Sequence, residues 1–336
     1  MPPVVFLDQR DWVDLAKQRK GVLEDHKHDL SDVLDFVTTT AEDEQVIYPV
    51  DLIRMRETAY HSRAEHRDEF FDFLFDVSNG YTVAPYHIVR VEEIVWRVDR
   101  LLGNTGYMTG RVVNQGLPHL FGGQNYKFVL EDSEKDISDV PDEQLQEMYD
   151  SIESRGVFDL VKDPEVGLID ELADQQDWNS VAERLNKLQD DDEDQYNDNE
   201  NRRRRGKIRA FMSDTIPEYF AHGMRMGLSM KELGAFLGDY WSGASGIEDA
   251  EGFLQSFPAE YTLTELMYQR DIQGTEWLSN DIADVESLAV AIPYCDVVTA
   301  DNQFADLACR SNLDDIYHTD IISDLSELPD VVSEKL

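Results

Sequence analysis

Short apolar runs alternate with longer stretches of helical periodicity near both ends of the chain. Runs of this kind, rich in β-branched and aromatic residues, predict buried strands at residues 4–7, 46–48, 296–299 and 316–318. Between them, apolar residues recur at helical spacing, as in residues 30–41 and 67–77. Because parallel strands need crossover connections, the alternation predicts an α/β fold with a parallel sheet flanked by helices.

The middle of the chain has a different character. Glycines recur between positions 103 and 123 and predict irregular backbone. Mostly helical patterns follow, including residues 178–188 and 208–226, and an acidic tract predicts a loop from residue 190. We therefore predict a discontinuous α/β body with a mostly helical insertion or cap, with boundaries at residues 1–102 and 258–336 for the body and 103–257 for the insertion.

The charge balance adds a constraint to this folded, core-forming sequence. The 336 residues include 70 Asp and Glu against 30 Lys and Arg, a formal net charge of −40, while 41% of them are hydrophobic. Such repulsion opposes a compact state in dilute buffer, whereas the Debye length falls to about 3 Å at molar salt. The acidic, Lys-poor composition resembles that of cytosolic proteins of salt-loving archaea. We expect the acidity to be a halophilic adaptation of the whole surface.

Cysteine usage and hydropathy indicate the compartment. Cys295 and Cys309 form neither a disulfide framework nor a metal-ligand spacing. No apolar run reaches the ~18 residues of a membrane span, and the N-terminus lacks the basic and apolar regions of a signal peptide. We therefore expect a soluble, cytoplasmic protein with no membrane partner.

Acidic residues stand where a parallel sheet collects ligands. Asp8 ends the first predicted strand and Asp301 follows the strand at 296–299, and ligands bind at the carboxyl ends of such strands. Asp281 and Asp284 share one face of a helix. Glu57 lies on the helix after the second strand. Each also has a plainer interpretation, as a helix cap for Asp8, Asp301 and Asp281 and as a solvated charge for Glu57 and Asp284.

The order and placement of these acids resemble the PIN-domain superfamily of metal-dependent ribonucleases. In that family an acid ends the first strand, a Glu follows the second strand, an acid lies early in a late helix, and a final Asp stands in a Thr-x-Asp-x-x-Phe-like motif. The resemblance assigns these positions to Asp8, Glu57, Asp284 with Asp281 as rival or helper, and Asp301 with Thr299 and Phe304. Residues 49–58 and 280–301 also resemble large prokaryotic PIN-like proteins, from which the chain departs at Asp51 and Arg54.

The resemblance implies a metal-dependent endoribonuclease that hydrolyses RNA. Carboxylates crowded within about 5–6 Å cannot all stay ionised without a cation, because like charges raise each other's pKa. One or two Mg²⁺ or Mn²⁺ ions would neutralise them and activate water for attack on a phosphodiester. We expect Asp8 and Asp301 to be direct metal ligands. The remaining members of the predicted metal shell are Glu57, Asp281 and Asp284.

Substrate contacts are predicted mainly from arginines. A basic island follows the acidic tract and is a candidate arm for gripping RNA, although it could equally pair with that tract. Arginines near Glu57 are alternative phosphate contacts, and the motif threonine is a further candidate. The predicted substrate-binding residues are Thr299, Arg54, Arg56, Arg202, Arg203, Arg204 and Arg205.

Two rival functions remain open from the sequence. One is a nuclease acting on DNA, and the other is a catalytically silent PIN-like scaffold that binds a protein partner. An antitoxin-like or homo-oligomeric partner is compatible with either the enzyme or the scaffold. The sequence contains no Walker A loop, no Gly-x-Gly-x-x-Gly after a strand and no Gly-x-Ser-x-Gly elbow.

Overall fold

The computed structural model describes residues 2–23, 29–55, 64–104, 108, 112–115, 178–192, 215–238 and 252–336. These residues form a mixed α/β protein, so the predicted fold class is confirmed at that level, while the PIN-like arrangement stays a prediction. The chain divides into two compact units. The first unit comprises Met1–Ala84, Val112–Gln176 and Asp324–Leu336, and the second comprises Pro85–Arg111 and Asp177–Ser323.

The elements of the described residues are, in chain order, β1 (Val5–Phe6), α1 (Gln9–Arg19), α2 (Ser31–Glu42), β2 (Val50–Asp51), α3 (Ala64–Ser78), β3 (Tyr81–Val83), α4 (Tyr86–Leu101), β4 (Val113–Gln115), α5 (Trp178–Asp192), α6 (Ile216–Arg225), α7 (Met230–Gly238), α8 (Pro258–Asp271), α9 (Ser279–Tyr294), β5 (Val297–Thr299), α10 (Asn302–Arg310), α11 (Leu313–Tyr317), β6 (Asp320–Ile322), a 3₁₀ helix (Leu325–Glu327) and α12 (Leu328–Ser333).

The first unit packs short strands against helices. β2 pairs in parallel with β3, and β3 pairs antiparallel with β4. Val4, just before β1, forms a parallel bridge with Ile47. Helices α1, α2 and α3 pack on one another, and the fully buried Trp12 ring meets Phe73 edge to face at 6.0 Å. Residues in β1 are buried, as the apolar run at 4–7 predicts, and both residues of β2 are buried too.

The second unit is organised around α9. β5 and β6 pair in parallel, with Thr299 opposite Ile322. Helices α4, α5, α8 and α11 all pack against α9. Its residues from Leu288 to Ile292 are all buried, and a helix that is apolar on every side belongs in an interior. No helix in the described part of the chain is both long enough and apolar enough to cross a membrane.

Several sequence-based boundaries were wrong. Residues 316–318 do not form a strand, because α11 ends at a left-handed His318 (φ 58°) and the strand follows as β6. Ile47 makes only an isolated bridge, with Val4, because Pro49 has no N–H to continue the pairing. The next strand, β2, begins at Val50 and pairs with β3 instead. β4 was missed within the glycine-rich stretch, and its antiparallel pairing makes the sheet of the first unit mixed.

Only part of the predicted insertion lies within the described residues. α5 continues to Asp192, into the acidic tract where a loop was expected from residue 190. α6 begins at Ile216, with Pro217 in its first turn, whereas residues 208–214 lie outside the described residues. Because much of 103–257 is outside them too, the boundaries of the insertion stay a prediction.

The packing of α6 on α7 yields a first test. A Cβ on Gly223 would overlap Cδ2 of the fully buried Leu233, so Gly223→Ala forces that side chain to move. We expect the free energy of unfolding to fall by about 1–3 kcal/mol, measured by urea denaturation.

Gly234→Ala is the matched control on α7. A Cβ there meets nothing within 4 Å, so the substitution should raise the free energy of unfolding by about 0.5–1 kcal/mol. Equal effects of the two substitutions would show that the close α6–α7 approach is not present in solution.

Candidate functional site

Asp8 stands at the end of β1 and begins α1. Its backbone is extended (φ −64°, ψ 156°), and its Oδ1 accepts a hydrogen bond from the Gln9 N–H at 2.7 Å. The same oxygen accepts from Nη2 of Arg54 at 2.9 Å. The Asp8 side chain is 17% exposed and that of Arg54 only 2%. The helix-cap interpretation of Asp8 is therefore correct, and the carboxylate is also ion-paired in a largely buried setting.

Arg54 is held on several sides within the first unit. Its guanidinium carbon lies 5.7 Å above the centre of the Phe6 ring, and its backbone N–H donates to Oδ1 of the buried Asp51 at 2.7 Å. The two positions where the chain departs from large PIN-like proteins, Asp51 and Arg54, are thus in direct contact with each other. The predicted contact of Arg54 with phosphate stays a prediction, because the contacts described for its guanidinium are with Asp8 and the Phe6 ring.

Two buried acids on α1 were missed by the sequence reasoning. Asp11 is 2% exposed and Asp14 is 8% exposed, although acidic residues are seldom buried. Arg10 Nε lies 3.3 Å from Asp11 Oδ1. The signal was present in the spacing, because Asp8, Asp11 and Asp14 recur every three residues and so lie near one side of the helix.

Asp301 repeats the local structure of Asp8 in the second unit. It follows β5, has an extended backbone (φ −65°, ψ 164°) and begins α10, where its Oδ1 accepts from the Phe304 N–H at 2.8 Å. Phe304 is buried, which explains the aromatic residue of the motif as a packing position. Thr299 is 1% exposed inside β5, so its predicted contact with substrate stays a prediction.

Asp281 and Asp284 have different surroundings although one helical turn separates them. Asp281 Oδ2 accepts from the Leu278 N–H at 3.0 Å and from Nη2 of Arg270 at 2.6 Å, and thereby caps α9. Asp284 is half-buried on the same helix. Burial raises the pKa of the neighbouring Glu286 to about 7, although a hydrogen bond from the Trp178 indole opposes the shift.

Helix α5 fixes the loop that leads into α9. The Asn186 side chain accepts from the Trp277 N–H at 2.7 Å and donates to the Trp277 carbonyl oxygen at 3.0 Å. Gln189 donates to Oδ1 of Asp271 at 2.8 Å. These contacts place the start of α9, and with it Asp281 and Asp284, from a helix in the predicted insertion.

The predicted site is distributed over both units. Asp8 and Arg54 belong to the first unit, and Asp281, Asp284, Asp301 and Thr299 belong to the second. The remaining predicted residues lie outside the described residues, namely Glu57, Arg56, Arg202, Arg203, Arg204 and Arg205. A shared four-acid centre therefore stays a prediction.

The donor chemistry suits a hard cation, but the described acids do not complete a site. Mg²⁺ and Mn²⁺ prefer carboxylate oxygens such as those of Asp8 and Asp301. Within the described ranges, no group of three or more His, Cys, Asp and Glu side chains is placed to hold a metal ion. Arg54 already supplies positive charge at Asp8. A metal centre that includes Asp8 therefore stays a prediction, and one of its predicted ligands, Glu57, lies outside the described residues.

Comparisons with known proteins identify no family. No protein-family model matches the chain, and no curated protein and no solved structure is significantly similar to it.

The two roles considered for Asp281 can be separated by stability. Asp281→Ala removes the acceptor of both the Leu278 N–H and the buried Arg270 guanidinium. We expect the free energy of unfolding to fall by about 2–4 kcal/mol, because a buried arginine loses its charged partner. Urea denaturation with and without Mn²⁺ measures this free energy. If Asp281 only caps the helix, the substitution should lower it by the same amount in both conditions.

Asp281→Asn is the matched variant. It keeps an oxygen for the Leu278 N–H but removes the charge that faces Arg270, so its loss should be smaller than that of Asp281→Ala. If wild type were stabilised by Mn²⁺ and Asp281→Asn were not, Asp281 would be a metal ligand and the purely structural assignment would fail.

Proposed function

We propose that the chain is a metal-dependent endoribonuclease that hydrolyses phosphodiester bonds of single-stranded RNA. One observation carries the proposal: Asp8 and Asp301 have the same extended backbone conformation after two short buried strands. Each follows its strand by one buried apolar residue, Leu7 or Ala300, and each caps the next helix. Carboxylates at the carboxyl ends of strands are where α/β proteins gather ligands.

The resemblance to the PIN-domain superfamily rests on the same order of acids and supports RNA as the substrate. Bound Mg²⁺ or Mn²⁺ would supply an activated water and neutralise charge that develops on the phosphate. Asp8, Glu57, Asp284 and Asp301 would hold the ion. Asp281, committed to Arg270 and the Leu278 N–H, would position the helix that carries Asp284.

Arg54 acts in this proposal through Asp8. Its buried guanidinium donates to Oδ1 of Asp8 and fixes the orientation of that carboxylate. Arg54 is therefore a positioning residue rather than one that grips substrate.

A second candidate, the catalytically silent scaffold, is favoured by a specific observation. Asp8 and Asp281 both pair with buried arginines, and such pairs stabilise a fold without any metal. In a scaffold these acids have only structural roles, and divalent metal does not change the melting temperature.

Cleavage assays with charge-neutralising variants test the proposal. We expect the wild type to cleave single-stranded RNA with Mn²⁺ or Mg²⁺ in molar KCl, and EDTA to abolish cleavage. Asp8→Asn and Asp301→Asn should each lower the cleavage rate about 100-fold or more, because each removes a charged metal ligand. Circular dichroism and thermal melting verify that both variants are folded.

Asp296→Asn is the matched control for Asp301→Asn. Asp296 is exposed and precedes β5 at the opposite end of the strand from Asp301, so it makes the same charge change away from the proposed site. It should cleave like the wild type. Cleavage of DNA alone would replace RNA by DNA as substrate, and a folded wild type without cleavage or metal-dependent stabilisation would select the scaffold.

A further inference from the structure

A buried glutamate on α4 joins three helices of the second unit. Glu93 is 1% exposed, and its Oε1 accepts the Ala259 N–H at 2.7 Å and the Tyr294 hydroxyl at 2.5 Å. Ala259 lies in the first turn of α8 and Tyr294 is the last residue of α9. We call these three residues the Glu93 junction.

Glu93 caps α8 from another helix. The residue at the N-cap position of α8 is Phe257, whose side chain offers no hydrogen-bond acceptor, and Pro258 has no N–H. The first free N–H group of α8, that of Ala259, is therefore satisfied by the carboxyl group of Glu93. α4 is thus fastened to α8 by a contact that local sequence cannot supply.

The α8–α9 pair is closed at both ends. These consecutive helices pack along each other and are joined by a short loop. At the loop end, Arg270 pairs with Asp281. At the other end, Glu93 links the start of α8 to the end of α9 by accepting hydrogen bonds from both Ala259 and Tyr294. The state of this one carboxyl group therefore affects three helices together.

The second oxygen of the carboxyl group makes the junction sensitive to protonation. Oε2 of Glu93 is buried and makes no hydrogen bond of normal geometry with the described residues, although the nearby Glu260 backbone N–H favours the charged form. An ionised carboxylate with one buried, unsatisfied oxygen is strongly disfavoured, whereas a protonated carboxyl group spreads no charge into the interior. Oε1 keeps its acceptor role in both forms.

Every helix packed around α4 brings charged or titratable groups towards α4 or the junction. On α8, Glu260 accepts a hydrogen bond from Tyr86, and Glu265 is buried nearby. On α6, Glu218 pairs with Arg90, and Arg97 of α4 donates to the Ser256 carbonyl oxygen at 2.9 Å. The groups that interact electrostatically with Glu93 or Tyr294 are Tyr86 and Arg97 from α4, Glu260 from α8 and Tyr317 from α11, and Tyr317 in turn interacts with Tyr261 and Glu265 of α8. From α6, Glu218 and His222 interact instead with other charged residues of α4, Arg90 for Glu218 and Glu92 and Asp99 for His222.

These surroundings agree with the geometric argument. Burial raises the pKa of Glu93 to about 8, and the charge of Glu260 adds to the shift. The hydrogen bonds from the Tyr294 hydroxyl and from the Ala259 and Glu260 backbone N–H groups lower the pKa and only partly offset burial. The folded protein therefore binds this proton more tightly than the unfolded chain, in which a glutamate has its ordinary pKa of 4.5.

We propose that protonation of the Glu93 carboxyl group controls how tightly α4 is held against α8 and α9. With Glu93 neutral, the junction is closed. When Glu93 ionises, a buried charge beside the Glu260 carboxylate loosens α4 and exposes the start of α8. The junction is thus a pH-dependent conformational device that is independent of whether the chain cleaves RNA.

The direction of the pH dependence follows from linkage. The pKa of Glu93 is higher in the folded protein than in the unfolded chain, so binding of its proton stabilises the fold. This stabilisation is complete below a pH of about 4.5, declines as the pH rises and is lost above pH 8. Burial also raises the pKa of Glu286, but only to about 7, so the effect of Glu286 on the pH dependence of stability levels off above pH 7. Between pH 7 and 8, the change in stability therefore reports on Glu93 rather than on Glu286.

Thermal melting of the full chain in molar KCl between pH 6 and 9 tests the proposal. We expect the melting temperature of the wild type to fall by about 5 °C across this range. Glu93→Gln keeps an acceptor for Ala259 and Tyr294 but cannot ionise, so its melting temperature should still fall between pH 6 and 7 through Glu286 and be nearly flat between pH 7 and 8. Glu286→Gln is the matched control and should still fall between pH 7 and 8.

Two further measurements keep the test decisive if Glu93→Gln folds poorly. Hydrogen exchange of wild-type α4, corrected for the intrinsic pH dependence, should accelerate above pH 8 relative to α1 of the first unit. Tyr294→Phe removes a hydrogen bond that favours the carboxylate, so its transition should move to higher pH. A wild-type melting temperature that does not change over this range, or the same decline in Glu93→Gln, would overturn the proposal.

Discussion

A single buried guanidinium, that of Arg270, organises the connection between α8 and α9. It donates to the Glu276 carbonyl oxygen at 2.8 Å and to Oδ2 of Asp281 at 2.6 Å, and its Cζ lies 5.1 Å above the Trp277 ring. A planar group with five donors can bind a carbonyl, a carboxylate and an aromatic face at once, which an ammonium group cannot. The start of α9, and the spacing of Asp281 and Asp284 relative to α8, depend on this arrangement.

Acidic side chains cap several helices in the described part of the chain, so the same aspartates can be interpreted as helix caps or as catalytic residues. Asp8, Asp301 and Asp281 each accept a backbone N–H at the first turn of a helix, and Glu93 does so from a neighbouring helix. The positive end of the helix dipole stabilises a carboxylate there. A cap after a strand is also where an α/β protein presents its chemistry, so capping by Asp8 and Asp301 is compatible with a catalytic role.

The buried ion pairs distinguish the acids from one another. Asp8 and Asp281 face arginines that are almost wholly buried, whereas Asp301 has a backbone N–H as its cap partner. A buried arginine that loses its carboxylate partner strongly destabilises the fold, so substitution of Asp8 or Asp281 should cost more stability than substitution of Asp301. Asp281 therefore stabilises the start of α9, while its predicted place in a metal shell, like that of Asp284, stays a prediction.

The sequence by itself determined the elements whose signals are local. The apolar runs before Asp8 and Asp301, the helical periodicity of α2 and α3, and the capping positions of both aspartates are encoded within a few residues. Only the tertiary structure decided the pairing of Arg54 with Asp8, the Asn186 contacts with Trp277 and the capping of α8 by Glu93. These contacts join residues far apart in the chain, and no local propensity indicates which buried charge will meet which partner. The same reason explains the missed β4 and the misplaced last strand, because strand pairing is a long-range property, whereas helix periodicity is set by neighbouring residues.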